Sequence, residues 1–319
     1  CALPIFLSVA LFMAFFPRLA AGPIERADHL IPQLEASHSW SWRHIDNGLS
    51  LIIIGLLKKL VVADNIAVFV DRIFLLQHPS LWLLLVGSIG FTLQILADFS
   101  GYTDIARGSA ALLGIDLLEN FRAPYRAVSP SDFWRRWHIS LSTWIRDYLY
   151  IPLGGSRSGS RVRFLVILLV AMGLSGLWHG AGWTFLLWGV YHAILLYAYH
   201  LAGRGGRWRP KTALGTAFAW GAMTLFTVFG WFLLRAPSLG WIGGAIANLQ
   251  PGLRGDEWLA GVGYLGMIAF YALPLVGTTL VTRCCPKSRI ARALLLGAAI
   301  VAIVVLAQDA SQDFIYFRF

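Results

Sequence analysis

Residues 129–150 read Ser-Pro-Ser-Asp-Phe-Trp-Arg-Arg-Trp-His-Ile-Ser-Leu-Ser-Thr-Trp-Ile-Arg-Asp-Tyr-Leu-Tyr, and an apolar run from Phe164 ends in Leu177-Trp178-His179-Gly180. The first stretch is too charged to cross a bilayer and too aromatic for an ordinary solvent-facing helix. The second carries an ionisable histidine deep in a segment suited to lipid, where such residues are costly and mark functional sites. The rest of the chain reads as scaffold that brings His138 and His179 together.

Working outward, 57% of the 319 residues are hydrophobic and 13% are charged, with 14 Trp and 20 Phe. A soluble domain carries about 25% charged residues. Several apolar runs reach the roughly 18 residues needed to cross about 30 Å of hydrocarbon. Strand-like alternation is absent, which argues against a membrane barrel. The fold class expected is all-α: a polytopic helical membrane protein with re-entrant and amphipathic interfacial helices. The net charge of +10 does not imply nucleic acid, because the basic residues gather in short loops, as cytoplasmic loops of membrane proteins do. Cys1, Cys284 and Cys285 lack metal-ligand spacing and read as inert thiols; no metal site is expected. The chain opens at Cys1 inside an apolar run, without a signal-peptide pattern. It reads as one domain, residues 1–319, with its N-terminal spans missing.

In chain order, residues 3–16 read as the end of a membrane helix stopped by Pro17. Residues 17–47, with His29, His38 and His44, read as an interfacial connector. Residues 48–57 are too short to span and suit a re-entrant piece, ended by Lys58 and Lys59. In the helix expected next, Asp64, Asn65, Asp71 and Arg72 share one face, which makes it amphipathic. Residues 80–97 can span, and Asp98 ends that run. Asp98, Ser100, Tyr102 and Asp104 in Asp-Phe-Ser-Gly-Tyr-Thr-Asp then form either a polar joint between helices or part of a cavity lining. Residues 105–118 read as a further amphipathic helix.

Ser129, Pro130 and Asp132 make a helix start. On one continuous helix through residue 150, Trp134, Trp137, Leu141, Trp144 and Tyr148 form one stripe, and Arg135, His138, Ser142 and Arg146 another. The apolar runs 164–180, 182–200, 213–234, 259–281 and 293–307 follow. Loops 155–163, 203–211 and 283–292 are rich in Arg and Lys and are assigned to the cytoplasm; 235–258 and the tail fall outside. His179 then lies near the apex of a hairpin, about 24 Å from Arg163 at 1.5 Å per residue. Gly176, Gly180 and Gly182 permit close approach, and Trp178 and Trp183 are expected as flat walls.

No Gly-x-Ser-x-Gly elbow, phosphate loop, thiol nucleophile or metal cluster accompanies His179. A histidine acting as general base on an acceptor hydroxyl is the chemistry left. It suits direct acyl transfer from a thioester, with His138 orienting or polarising a reactant. A transporter of lipid-linked sugars would use a similar polar cavity without bond chemistry, and would show paired repeat halves, which the sequence lacks. The two imidazoles are expected on one continuous cavity, with Arg135 or Arg136 near its mouth meeting donor phosphates.

Several stretches together carry a resemblance. They are Phe16–Arg26, Asp98–Asp104, Glu119–Tyr125, Asp132–Ser142, Arg146–Gly155, Leu177–Gly180 and Phe314–Phe319. The chain resembles the membrane-bound O-acyltransferase superfamily, in the bacterial branch of alginate O-acetylation and of D-alanyl transfer to teichoic acid. The resemblance implies that His179 is the family's active-site histidine and His138 the branch's second one. It implies helices set around a transmembrane tunnel, whose lining is expected to include Trp178, Asp98, Ser100, Tyr102, Asp104, Arg135, Arg136, Trp137 and Ser142. It implies no bound cofactor, with acetyl-CoA or another acyl thioester as donor substrate. The acceptor implied is an exported polysaccharide, reached through a periplasmic partner protein, in a multi-pass inner-membrane setting.

Overall fold

The computed structural model describes residues 2–19, 22–39, 41–157, 159–247, 255–285, 288–308 and 314. The helices in chain order are α1 (Ala2–Ala14), α2 (Ala27–Glu35), α3 (Trp42–Leu56), α4 (Asp64–Phe74), α5 (Leu81–Leu112), α6 (Pro130–Trp134) and α7 (Ile139–Ile145). They continue with α8 (Arg161–His179), α9 (Trp183–Leu201), α10 (Ala213–Arg235), α11 (Leu239–Ala247), α12 (Gly255–Cys284) and α13 (Arg289–Leu306). No strand occurs among the described residues. Among the described residues six helices, α5, α8, α9, α10, α12 and α13, are long and apolar enough to cross a membrane. The protein is an all-α, multi-pass membrane protein.

The chain divides into two compact units, 1–66 with 93–120 and 269–315, and 67–92 with 121–268 and 316–319. In the first, α3 packs antiparallel on α5 through glycine. A β-carbon on Gly101 would stand 2.8 Å from the carbonyl oxygen of Gly55, and one on Gly108 2.6 Å from that of Gly48. Small residues at such contacts let backbones approach where lipid provides no hydrophobic drive for helix association.

Two helix ends expected from the sequence do not occur. Lys58 and Lys59 lie inside a π-helical turn, Leu57–Ala63, and the helix runs unbroken from Trp42 to Phe74. Asp98 does not end a helix either, since α5 continues to Leu112. The reason is charge pairing. Lys59 Nζ lies 2.7 Å from Asp64 and 3.0 Å from Asp98, and Lys58 Nζ lies 2.5 Å from Asp104. Paired charges can stay at depth where single ones cannot. The π turn leaves carbonyls to satisfy, and the Asn65 amide donates to Leu60 O and Val61 O, and to Leu306 O on α13.

The connector 17–47 contains α2, which the polarity of the segment concealed. Glu25 ties it down, accepting from Leu118 N at 2.6 Å and contacting His29 Nδ1 at 2.8 Å. Leu30 is buried against Phe15, Ala110, Ile115 and Leu117.

In the second unit, α8 and α9 form the expected hairpin. A β-carbon on Gly176 would run into the Phe185 carbonyl, and one on Gly189 into that of Met172. Helix α10 covers α9, with Tyr191 Oη donating to Phe226 O at 2.8 Å. Helix α11, inside a stretch read as loop, is fixed by Trp241 Nε1 donating to Leu76 O at 2.9 Å. Arg235, at the end of α10, pairs with Asp71 at 2.7 Å.

Candidate active site

The continuous helix expected over 129–150 is broken at the histidine. Ser129 caps α6 as read, its Oγ accepting from Asp132 N at 3.2 Å. Helix α6 stops at Trp134, and α7 restarts at Ile139. Between them His138 sits in the left-handed region at φ +42°. That conformation costs a non-glycine residue roughly 1–2 kcal/mol, and such strain clusters at functional sites. Ser142 Oγ donates to Trp137 O at 3.1 Å and so satisfies a carbonyl that the break leaves open. The stripes drawn for an unbroken helix therefore do not survive. Trp137 goes into the core, against Phe133 and Trp231 at ring distances of 5.8 and 4.7 Å, while Trp144 and Tyr148 are exposed.

The break carries His138 to His179. The two rings are 6.5 Å apart between centroids, tilted by 48°, and both residues are buried. Burial first, and then the neighbouring His179, hold the His138 imidazole well below its ordinary range, so it is neutral near pH 7. A neutral imidazole can accept a proton from an acceptor hydroxyl.

The ring against His179 is Trp188, edge-on at 5.4 Å. Trp178, expected as a wall, is 65% exposed, and Trp183 is exposed as well. Trp188 also meets a third imidazole, His192, at 4.8 Å. His192 is buried and stacks on Phe133 at 6.0 Å. Gly230 on α10 leaves it room, since a β-carbon there would lie 3.1 Å from His192 Nε2. The sequence reading passed over His192, although the rule that singled out His179, an ionisable residue within a membrane-length apolar run, applies equally to it.

A cavity of about 1070 Å³ lies in the same unit. Arg122, Arg135, Arg136, Arg146, Arg207 and Arg209 line it, together with the loop after α9 (Gly203, Gly205, Gly206). Phe164, Leu168, Met172 and Leu196 form an apolar part, and Ser142 and Ser175 also line it. Ser175 stands four residues before His179 on the same face of α8, and Ser142 four after His138. His200 is among the lining residues; His138 and His179, expected on one continuous cavity, are not.

Asp132 gathers the basic residues. It lies 3.0 Å from Arg136 Nε, 3.3 Å from Arg135 Nη2 and 4.0 Å from Arg209 Nη2. Arg135 also donates to Gly206 O at 2.7 Å. One buried carboxylate facing three guanidinium groups leaves a net positive surface.

Asp98, Ser100, Tyr102 and Asp104 lie on α5 in the first unit. Two of them are held by lysines as described, and Tyr102 packs on Phe314 at 4.2 Å.

A family model described as membrane-bound O-acyltransferase matches residues 2–234. A probable alginate O-acetylase of Pseudomonas putida is 39% identical over 72% of this chain and 46% of the relative. A peptidoglycan O-acetyltransferase of Helicobacter pylori is 39% identical over 73% of the chain and 45% of the relative. A teichoic acid D-alanyltransferase of Bacillus subtilis is 27% identical over 70% and 59% respectively. These matches, with the helical membrane architecture, define the class: the chain belongs to the membrane-bound O-acyltransferase family. It spans about half the length of the curated O-acetylating relatives it matches.

Proposed function

We propose that the protein transfers an acyl group, acetyl in the first instance, from a thioester on the cytoplasmic side of the inner membrane to a hydroxyl. The acceptor is an exported polysaccharide or a periplasmic protein that passes the group on. The observation that carries this reading is the buried His138–His179 pair, 6.5 Å between rings, with an arginine-lined cavity reaching Ser175, one helical turn from His179.

In this reading the cavity receives the donor from the side of Arg161 and the α9–α10 loop, which the charge asymmetry assigns to the cytoplasm. Guanidinium groups suit the phosphates of acetyl-CoA as bidentate, charge-assisted partners, and the apolar part suits the thioester's pantetheine arm. His179 takes the proton of the acceptor hydroxyl as its oxygen attacks the thioester carbonyl. It then returns the proton to the leaving thiolate. His138, neutral and close by, orients the acceptor or shares its proton. Acetyl is favoured over D-alanyl because the O-acetylating relatives are 39% identical and the D-alanylating one 27%.

The test is transfer from radiolabelled acetyl-CoA in membranes containing the protein. His179→Ala is expected to reduce acyl transfer to background at normal expression. Full transfer in that variant would remove His179 from the chemistry, and transfer only from a D-alanyl carrier protein would overturn the acetyl reading.

A further inference from the structure

Hydroxyls buried on membrane helices have a default partner. With no water in the hydrocarbon, a serine or threonine donates to the carbonyl four residues back. In the second unit Ser88 donates to Leu84 O at 2.6 Å, Thr92 to Ser88 O at 2.7 Å and Thr227 to Met223 O at 2.8 Å. Ser175 departs from this pattern. It is 1% exposed, and its Oγ has no hydrogen-bond partner among the described residues. A buried hydroxyl left without a partner is costly and calls for an explanation. Ser175 also lines the arginine-rich cavity, and it shares a face of α8 with His179, about 6 Å along the axis.

A second donor on that cavity is unspent in the same way. Trp134 lines it, and its buried Nε1 has no partner among the described residues. The Trp134 ring meets Trp188 edge-on at 5.7 Å, and Trp188 in turn faces His179. One O–H and one N–H donor, buried and without acceptors among the described residues, thus belong to residues lining one chamber.

We propose that Ser175, assisted by the Trp134 indole N–H, receives the carbonyl oxygen of the thioester donor and holds the oxyanion that forms on it. This rests on the acyltransferase reading above and names a further catalytic residue within it. The acceptor oxygen forms a bond to the thioester carbon and its proton passes to His179. The carbonyl π pair moves onto the oxygen, where Ser175 Oγ–H and Trp134 Nε1–H stabilise it. The pair then returns, the C–S bond breaks, and the thiolate leaves with the proton from His179. Ser175 is unchanged at the end, as a preorganised donor should be.

The experiment measures thiol release and acyl transfer from acetyl-CoA by the membrane-embedded protein. Ser175→Ala is expected to lower kcat by on the order of 100-fold, the loss typical for one oxyanion donor, with KM for acetyl-CoA little changed. Binding of S-ethyl-CoA, a thioether without the carbonyl, is expected to be the same in wild type and Ser175→Ala, which also shows that the variant is folded. Ser175→Thr should recover much of the rate, Trp134→Phe should lower it, and Ser88→Ala, whose hydroxyl is already committed, should not. Wild-type kcat in Ser175→Ala overturns the inference, as does a stable acyl adduct on Ser175, which would make it a nucleophile. If wild type itself transfers from no thioester, the acyltransferase reading fails and this inference falls with it.

Discussion

His138 shows how much one residue's surroundings decide. Its imidazole is buried beside a second one, and its pKa lies well below the ordinary value of 6.5, through burial first and His179 second. The unfolded chain therefore takes up a proton near pH 6.5 and the folded chain only at much lower pH. Stability contributed by the neutral form is present above 6.5 and lost as pH falls below it. Thermal unfolding of the detergent-solubilised protein should show a midpoint that drops on acidification through pH 6.5, and His138→Gln should flatten that drop. The same variant should lower turnover, within the 10²–10⁴-fold range typical of acid–base groups, while donor binding persists. Wild-type turnover in His138→Gln would make the residue structural.

At the scale of elements, the hairpin α8–α9 positions His179, Ser175 and Trp188 through the contact at Gly176 and Gly189. A β-carbon at either glycine meets backbone rather than a movable side-chain tip. Gly176→Ala should therefore push the helices apart at a cost of about 1–3 kcal/mol, the usual range for overpacking. A lower unfolding midpoint and a drop in transfer rate should appear together, since the shift is one turn from His179. Gly221, whose β-carbon would meet open space, should accept alanine without either effect. A Gly176→Ala protein with wild-type midpoint and rate would mean that the hairpin is looser than the structure shows.

For the molecule as a whole, the buried charges of the first unit bear on whether helices 42–74 and 81–112 stay continuous. Lys59 serves two carboxylates, Asp64 and Asp98. Removing one partner of a buried ion pair typically costs about 3–5 kcal/mol, because the remaining charge is uncompensated. Lys59→Met should sharply lower the yield of folded protein, and adding Asp64→Asn and Asp98→Asn should recover part of it. Recovery of the fold with transfer intact would identify the Asp98–Asp104 stretch as a structural joint. Recovery of the fold without transfer would make it part of the reaction cavity.

Composition and run lengths alone determined the helical membrane class, because hydrocarbon demands long apolar helices whatever their packing. The spans read as 164–180, 182–200, 213–234, 259–281 and 293–307 match α8, α9, α10, α12 and α13 to within a few residues at most of their ends. His138 and His179 were legible for the same reason: each is an ionisable residue among apolar or aromatic neighbours. Only the tertiary structure decided where helices end or continue around Lys59, Asp98 and His138, and which rings meet. Lys59 and Asp98 looked like helix ends because a lone charge is expelled from lipid, and they became helix interiors because their partners lie 39 residues apart in the chain. His138 left its expected stripe because a left-handed residue breaks the helix there. Trp188 and His192 joined the site through contacts among α6, α8, α9 and α10. Such pairings depend on distances between segments far apart in sequence, which no local pattern encodes.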